Sequence, residues 1–403
     1  MRLEFGLSVF TAALASAASI PRPVPVSATA GKRQETTSKL LVGAPGQILL
    51  ASFDGSSFDF VAENSIEGTT ASWMAFKEPN LLYAVDENSD QLRIFKLDLS
   101  TNELSSEPEI VQGSTGVVHL AFNADKTRLV GSSYSEGQID IWDVSEDTPK
   151  LIKNIKSEEE LGPHERQDTS RAHQAVLDPS GRYFAVADLG TDSILLIDSA
   201  NDAWDLVNVA RVPTPGCGPR HGAFLPSAQD PTSASHYVVV CELANTVEVF
   251  AVTYGADGEG INFRPSQPAL GTLGGSTNSS AGAAAGAIET SADGRHVYVS
   301  NRITGGATDS IAHFRAVPAS ACFGGLKLEF VGLTSSAGVN PRMFSLGAGE
   351  DLLFSTNIAD GLGLLALPRD PSDGTLGETL VASVDVETFG PEGFGPQFVL
   401  QIA

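Results

Sequence analysis

The chain has 403 residues, with 49 acidic against 25 Lys and Arg side chains and a formal net charge of −24. That balance leaves no basic stripe for a phosphate backbone, which excludes nucleic acid and an anionic membrane surface as partners. Three cysteines, Cys217, Cys241 and Cys322, are too few for a disulfide scaffold, and none stands in a Cys-x-x-Cys spacing that would hold zinc or do redox work.

Residues 1–18 read as a signal peptide. Arg2 gives a weak basic start, residues 5–14 are apolar but too short to span a bilayer, and Ala15-Ser16-Ala17-Ala18 is a small-residue cleavage site. Residues 19–37 form a Pro-, Ala- and Thr-rich linker, expected to be disordered. Lys32-Arg33 within it is a dibasic pair of the kind secretory processing enzymes cut. A secreted protein with a single folded domain over residues 38–403 is expected.

Residues 40–54 look like a hairpin without a full sheet around it. A pattern then recurs six times, with Phe76, Phe122, Leu177, Phe224, Thr290 and Leu346 in matching places. The third copy is the clearest: a strand over residues 174–177, a turn Asp178-Pro179-Ser180-Gly181, and a second strand over 183–187 ending on Asp188. Pro presets φ in such a turn and Gly accepts a positive φ. Each copy then runs into a third alternating strand, as in LRIFKLD, IDIWDV and VEVFAV. A blade-sized repeat without an amphipathic helix predicts an all-β, seven-bladed propeller of four-stranded antiparallel blades. The seventh blade is expected to form from residues 40–54 and the last strand, QFVLQIA, which would close the ring and remove two exposed edges.

Inner strands of a propeller line its channel, so equivalent positions in different blades converge on one mouth. Four residues before the template position stand His173, Arg220 and Arg342, and the next column holds Gln174, His221 and Met343. At the tips of the second strands stand Asp188, Glu242, Asn301 and Asn357, with Arg302 after Asn301. Arginines converging with a His and a Glu would clamp a carboxylate in bidentate geometry. The same arginines could equally form bridges between blades with Asp188, Glu242 and Glu289. Cys217 and Cys241 flank one hairpin and are the expected disulfide, leaving Cys322 free. Asn278 heads the sequon Asn278-Ser279-Ser280 in a Gly/Ala-rich insertion over residues 274–286. No Gly-rich phosphate loop, GxSxG elbow or HExxH is found, and His164 with His173 lacks a third metal ligand.

The segments HQAVLDPSGRYFAVADLGTD, GPRHGAFLP with YVVVCELANTVEVF, ETSADGRHVYVSNR, and NPRMF with LLFSTN together resemble the lactonase-type seven-bladed propeller family. Its members include the fungal 3-carboxy-cis,cis-muconate lactonizing enzyme, or carboxy-cis,cis-muconate cyclase, and bacterial 6-phosphogluconolactonase. The resemblance implies a site free of metal and cofactor at the channel mouth, and a small anionic substrate, a polycarboxylate or its lactone. It places His173, Arg220, Glu242 and Arg302 in that site and retains Arg342; by the chemistry of the groups, His173 or Glu242 is the expected proton donor, and Arg220, Arg302 and Arg342, with His221 of the next column, are the expected substrate-binding residues. Met343 departs from the family, which often has a His there. Intramolecular lactonization of a muconate-type polycarboxylate is the activity expected from the cyclase branch. Alternatives are hydrolysis of a lactone, and a secreted binding propeller that uses the loops at residues 157–170 and 274–286.

Overall fold

A computed structural model of the chain describes residues 37–256, 260–274, 282–320, 324–391 and 393–403. The expected signal peptide, the Lys32-Arg33 pair, Cys322 and Asn278 lie outside these residues. Seven antiparallel sheets follow one another along residues 36–403, which form one compact unit. Blades 1 to 6 cover residues 74–112, 117–156, 172–211, 219–271, 284–335 and 338–385. Blade 7 is built from both ends of the chain, with the order Phe58–Thr70, Ser38–Phe53, Phe398–Gln401. It has three strands, where the others have four strand positions.

The template hairpin forms as its sequence dictates. Strands Ala172–Leu177 and Tyr183–Asp188 pair through the Asp178 turn, where Gly181 has φ 75°. The Asp178 carboxylate accepts the backbone N–H groups of Arg182 and Tyr183, so the turn is held by its own first residue. The expected hairpin at residues 40–54 is a correction. Ser38–Phe53 is one long strand, irregular between Pro45 and Gln47 where Gly46 has φ 74°, and its turn comes later. Asp54 makes that turn by accepting the N–H groups of Ser56 and Ser57. Pro45-Gly46 therefore bends a strand instead of reversing it, as a bulge does.

No single core holds the ring together. Among the described residues the buried apolar side chains fall into seven clusters, each lying between neighbouring blades. Trp142 fills the interface of blades 1 and 2, Tyr237 that of blades 3 and 4, and Phe354 that of blades 6 and 7. Each blade thus depends on both neighbours, and closure matters to all of them. Closure rests on the antiparallel pairing of Leu40 to Gly43 with Gln401 to Phe398, and on Phe398 packing edge-on against Trp73, 5.3 Å between ring centres.

Removing residues 397–403 should therefore cost more than a frayed terminus does. Phe398 and Val399 are fully buried, and exposing two such side chains costs about 3–6 kcal/mol. That is a large part of the roughly 5–15 kcal/mol that holds a typical domain folded. Thermal melts should show a drop of many degrees or loss of cooperative unfolding; an unchanged melt would show that the strand does not close the ring.

Candidate active site

At one end of the channel, loss of strand register re-aims the inner strands. Blades 2, 3, 4 and 5 are irregular at Val118, His173, Arg220 with His221, and Gly286 with Ala287. A bulge turns an extra side chain out of the pleat, and here it turns them toward the mouth. A cavity of about 350 Å³ opens there, lined among others by Val118, His173 and Arg220 from the inner strands and by Arg342, two residues before the inner strand of blade 6. Gly286 occupies the matching place in blade 5. A Cβ at Gly286 would stand 2.4 Å from Ser300 Oγ and 3.1 Å from Arg302 Nε, so glycine there leaves room for the Arg302 side chain.

A second set of equivalent positions completes the wall. The backbone N–H groups of Glu87, Tyr134, Leu189 and Glu242 donate to the carbonyls of Thr70, Gly116, Arg171 and Gly218, each six residues before its blade's template position. Arg302 pairs with Ala284 in the same register. Glu87, Tyr134, Glu242 and Arg302 all line the cavity. The tip column expected from sequence mixes two positions, and only its Glu242 stands in this one. Asp188, Asn301 and Asn357 belong to the preceding position and are buried latches. Asp188 accepts from the Ser170 hydroxyl at 2.6 Å, and Asn357 Nδ2 donates to the Ser336 carbonyl at 2.8 Å.

Cys241 holds that latch position in blade 4, and it is bonded to Cys217 as expected. The disulfide therefore stands where other blades use a hydrogen bond, as Ser133 of blade 2 does to the Thr115 carbonyl. It sits directly before Glu242 and three residues before Arg220. Asp192 adds to it by accepting the N–H groups of Gly216 and Gly218.

Glu242 is the hub. Its Oε2 lies 3.0 Å from Arg220 Nε and 2.9 Å from Arg302, and its Oε1 lies 2.7 Å from Arg166. Burial opposes the charge of Glu242, but Arg302, Arg220 and Arg166 outweigh it and hold the carboxyl well below its ordinary range. Burial, and then Arg302, lowers the pKa of Arg220, yet a guanidinium paired with a carboxylate keeps its proton. Arg342 pairs instead with Glu87. Of the alternative bridges, only that to Glu242 forms; Asp188 is taken by the latch, and Glu289 makes no ion pair among the described residues. Arg166, Glu87 and Tyr134 were not among the residues found from sequence. A one-residue shift of the tip column would have found Glu87 and Tyr134, whereas Arg166 lies on the loop at residues 157–170, outside the repeat.

Beneath the arginines lies a floor of neutral rings. His119 packs tilted against Trp73, 4.1 Å between ring centres, and His221 lies 5.5 Å from Trp73 and 5.1 Å from His173. Burial, and then Arg220, lowers all three histidine pKa values, that of His119 to about 3. His221 packs in this floor, with a contact to Arg220 at 3.2 Å, and does not line the 350 Å³ cavity. His173 does line it, with Nδ1 buried and without a partner.

Residues 35–389 match the family described as "Lactonase, 7-bladed beta-propeller". The chain belongs to this lactonase family. It is 29% identical over 263 residues to a probable 6-phosphogluconolactonase of Arthroderma benhamiae, a match covering 64% of either chain. It is 28% identical to the 6-phosphogluconolactonase of Bacillus subtilis, over 74% of this chain and 80% of that one. Among solved structures, the periplasmic gluconolactonase of Pseudomonas aeruginosa aligns over 91% of this chain and 99% of its own, with 25% identity and a TM-score of 0.72.

Two predictions follow the geometry of this lactonase-family site. A histidine held neutral in the fold binds fewer protons than it does unfolded, so its contribution is present above the unfolded value of about 6.5 and is lost as pH falls toward the folded value. For His119 the loss between about pH 7.5 and pH 5 is about 2 kcal/mol. Melts of His119→Gln should depend less on pH across that window than those of the wild type; equal slopes would contradict a neutral floor. Replacing Cys217 and Cys241 by serine opens a loop with a sequence separation of 24, worth about 3 kcal/mol. The double variant should melt lower and also bind substrate less well, because Arg220 and Glu242 lose their common anchor; a lower melt with unchanged KM would make the bridge purely structural.

Proposed function

We propose that this chain is a secreted lactone hydrolase acting on a sugar-acid lactone that carries an anionic group. The observation that carries this reading is the charge of the cavity. Arg166, Arg220, Arg302 and Arg342 stand against Glu87 and Glu242, an excess of two positive charges in a protein whose net charge is −24. Such a local reversal of sign attracts and holds an anion. The names of the relatives, 6-phosphogluconolactonase and gluconolactonase, favour hydrolysis over the muconate lactonization expected from the cyclase branch. The signal peptide expected over residues 1–18 and the buried disulfide support an oxidising compartment.

Hydrolysis needs a water to attack the ring carbonyl, a base to take its proton, and donors for the oxyanion. His173 suits the base, because it lines the cavity with an uncharged imidazole. An anionic substrate would raise its basicity at the moment of use. Arg220 and Arg302, held rigid on Glu242, offer N–H groups to the oxyanion formed at the carbonyl carbon. The proton on His173 then passes to the ring oxygen as the C–O bond breaks. Glu242 acts by fixing the arginines. The cyclase reading stands second, favoured by the same excess charge, since a polycarboxylate would also fit those clamps.

The test is a three-substrate assay with purified secreted protein: acid release from 6-phosphogluconolactone and from glucaro-1,4-lactone, and loss of the diene absorbance of 3-carboxy-cis,cis-muconate. Acid release is expected, with a fall of roughly 10²–10⁴-fold in His173→Gln. A folded wild type that opens neither lactone would overturn the reading, and diene loss in its place would establish the cyclase.

A further inference from the structure

Arg166 differs from the other arginines around Glu242. Arg220 and Arg302 are 3% and 11% exposed and share Oε2, while Arg166 is 44% exposed and alone holds Oε1. One carboxylate faces three cations, which leaves two positive charges in surplus, and Arg166 is the cation at the open side of the cavity. Separating the two buried arginines from Glu242 would strand charges in a poorly solvated place. Breaking the half-exposed pair costs far less, because water and a new anion can take both ends.

The backbone beneath Arg166 is fixed. Gln167 is buried, and its amide donates to the Leu189 carbonyl at 2.8 Å and to Asp192 at 2.7 Å, while its oxygen accepts from His164 N–H. Gly162 N–H donates to the Gly190 carbonyl, and Arg171 Nε donates to the Arg166 carbonyl. With the loop pinned on each side of it, what can turn is the Arg166 side chain. It also donates to the Tyr134 hydroxyl at 3.2 Å, on the cavity wall.

We infer that Arg166 is an exchangeable arm that leaves Glu242 for the terminal anionic group of the substrate, phosphate or carboxylate, and so sets the preference for anionic over neutral lactones. This rests on the hydrolase reading above. A neutral lactone offers nothing to draw the arm away, and Arg166 then stays across Glu242 and narrows the mouth. The arm is a recognition element, while the buried arginines stay on Glu242 throughout.

The experiment compares wild type, Arg166→Gln and Arg166→Lys on 6-phosphogluconolactone, glucaro-1,4-lactone and neutral glucono-1,5-lactone, with calorimetric affinities for the products 6-phosphogluconate, glucarate and gluconate. In Arg166→Gln the anionic-to-neutral ratio of kcat/KM should fall roughly 10- to 100-fold, through KM, with partial recovery in Arg166→Lys. Product affinity should fall for the anion Arg166 serves, and a fall confined to 6-phosphogluconate or to glucarate identifies that group as phosphate or carboxylate. An unchanged ratio, or equal losses on all three substrates, would overturn the arm. A wild type inactive on all lactones defeats the hydrolase reading alone. In that case 6-phosphogluconate and glucarate binding decide: affinities lowered by Arg166→Gln uphold the arm, and affinities it leaves unchanged defeat it.

Discussion

Three guanidinium groups converging on the Glu242 carboxylate are the interaction on which the rest of the site depends. Cations so close together repel, and two of them are buried, so the arrangement survives only with the carboxylate between them and with a backbone that cannot relax. The local structure answers that demand. A disulfide anchors the residue before Glu242, glycine at position 286 clears a place for Arg302, and strand irregularity brings Arg220 to the mouth. The ring supplies stiffness, since every blade is wedged between two apolar interfaces.

That electrostatic choice also fixes the layer below. Positive charge above a dry floor disfavours any further cation, so His119, His173 and His221 are all pushed toward the neutral form by burial and by Arg220. His119 and His221 pack against Trp73 as aromatic walls. His173 alone among the three lines the cavity, which is why the proposed base is His173 and not either of the other rings.

Much of this was legible in the sequence because a propeller repeats. The Asp178 turn and its copies set the phase, and equal phase brings His173, Arg220 and Arg342 into one column. The phase fails where spacing between strands varies: Glu242 stands at the wall position, but Asp188, Asn301 and Asn357 lie one residue before it, and the same slip hides Glu87 and Tyr134. The outer strands were also hard to see. Lys150–Lys156 and Asp205–Arg211 face solvent, with Leu151, Ile152, Leu206 and Val207 exposed, so alternation does not mark a buried face. Residues 40–54 were read as a hairpin since Pro45-Gly46 has turn chemistry, but long-range pairing to Phe398–Gln401 outweighed it. Arg166 had no repeat to give it a place.

The most direct test is a crystal structure with 6-phosphogluconate bound. The sugar-acid carboxylate should lie against His173, Arg220 and Arg302, and the phosphate at the open side with Arg166 turned away from Glu242. Ligand bound elsewhere on the propeller, or at the mouth with no contact to the arginines, would contradict this arrangement.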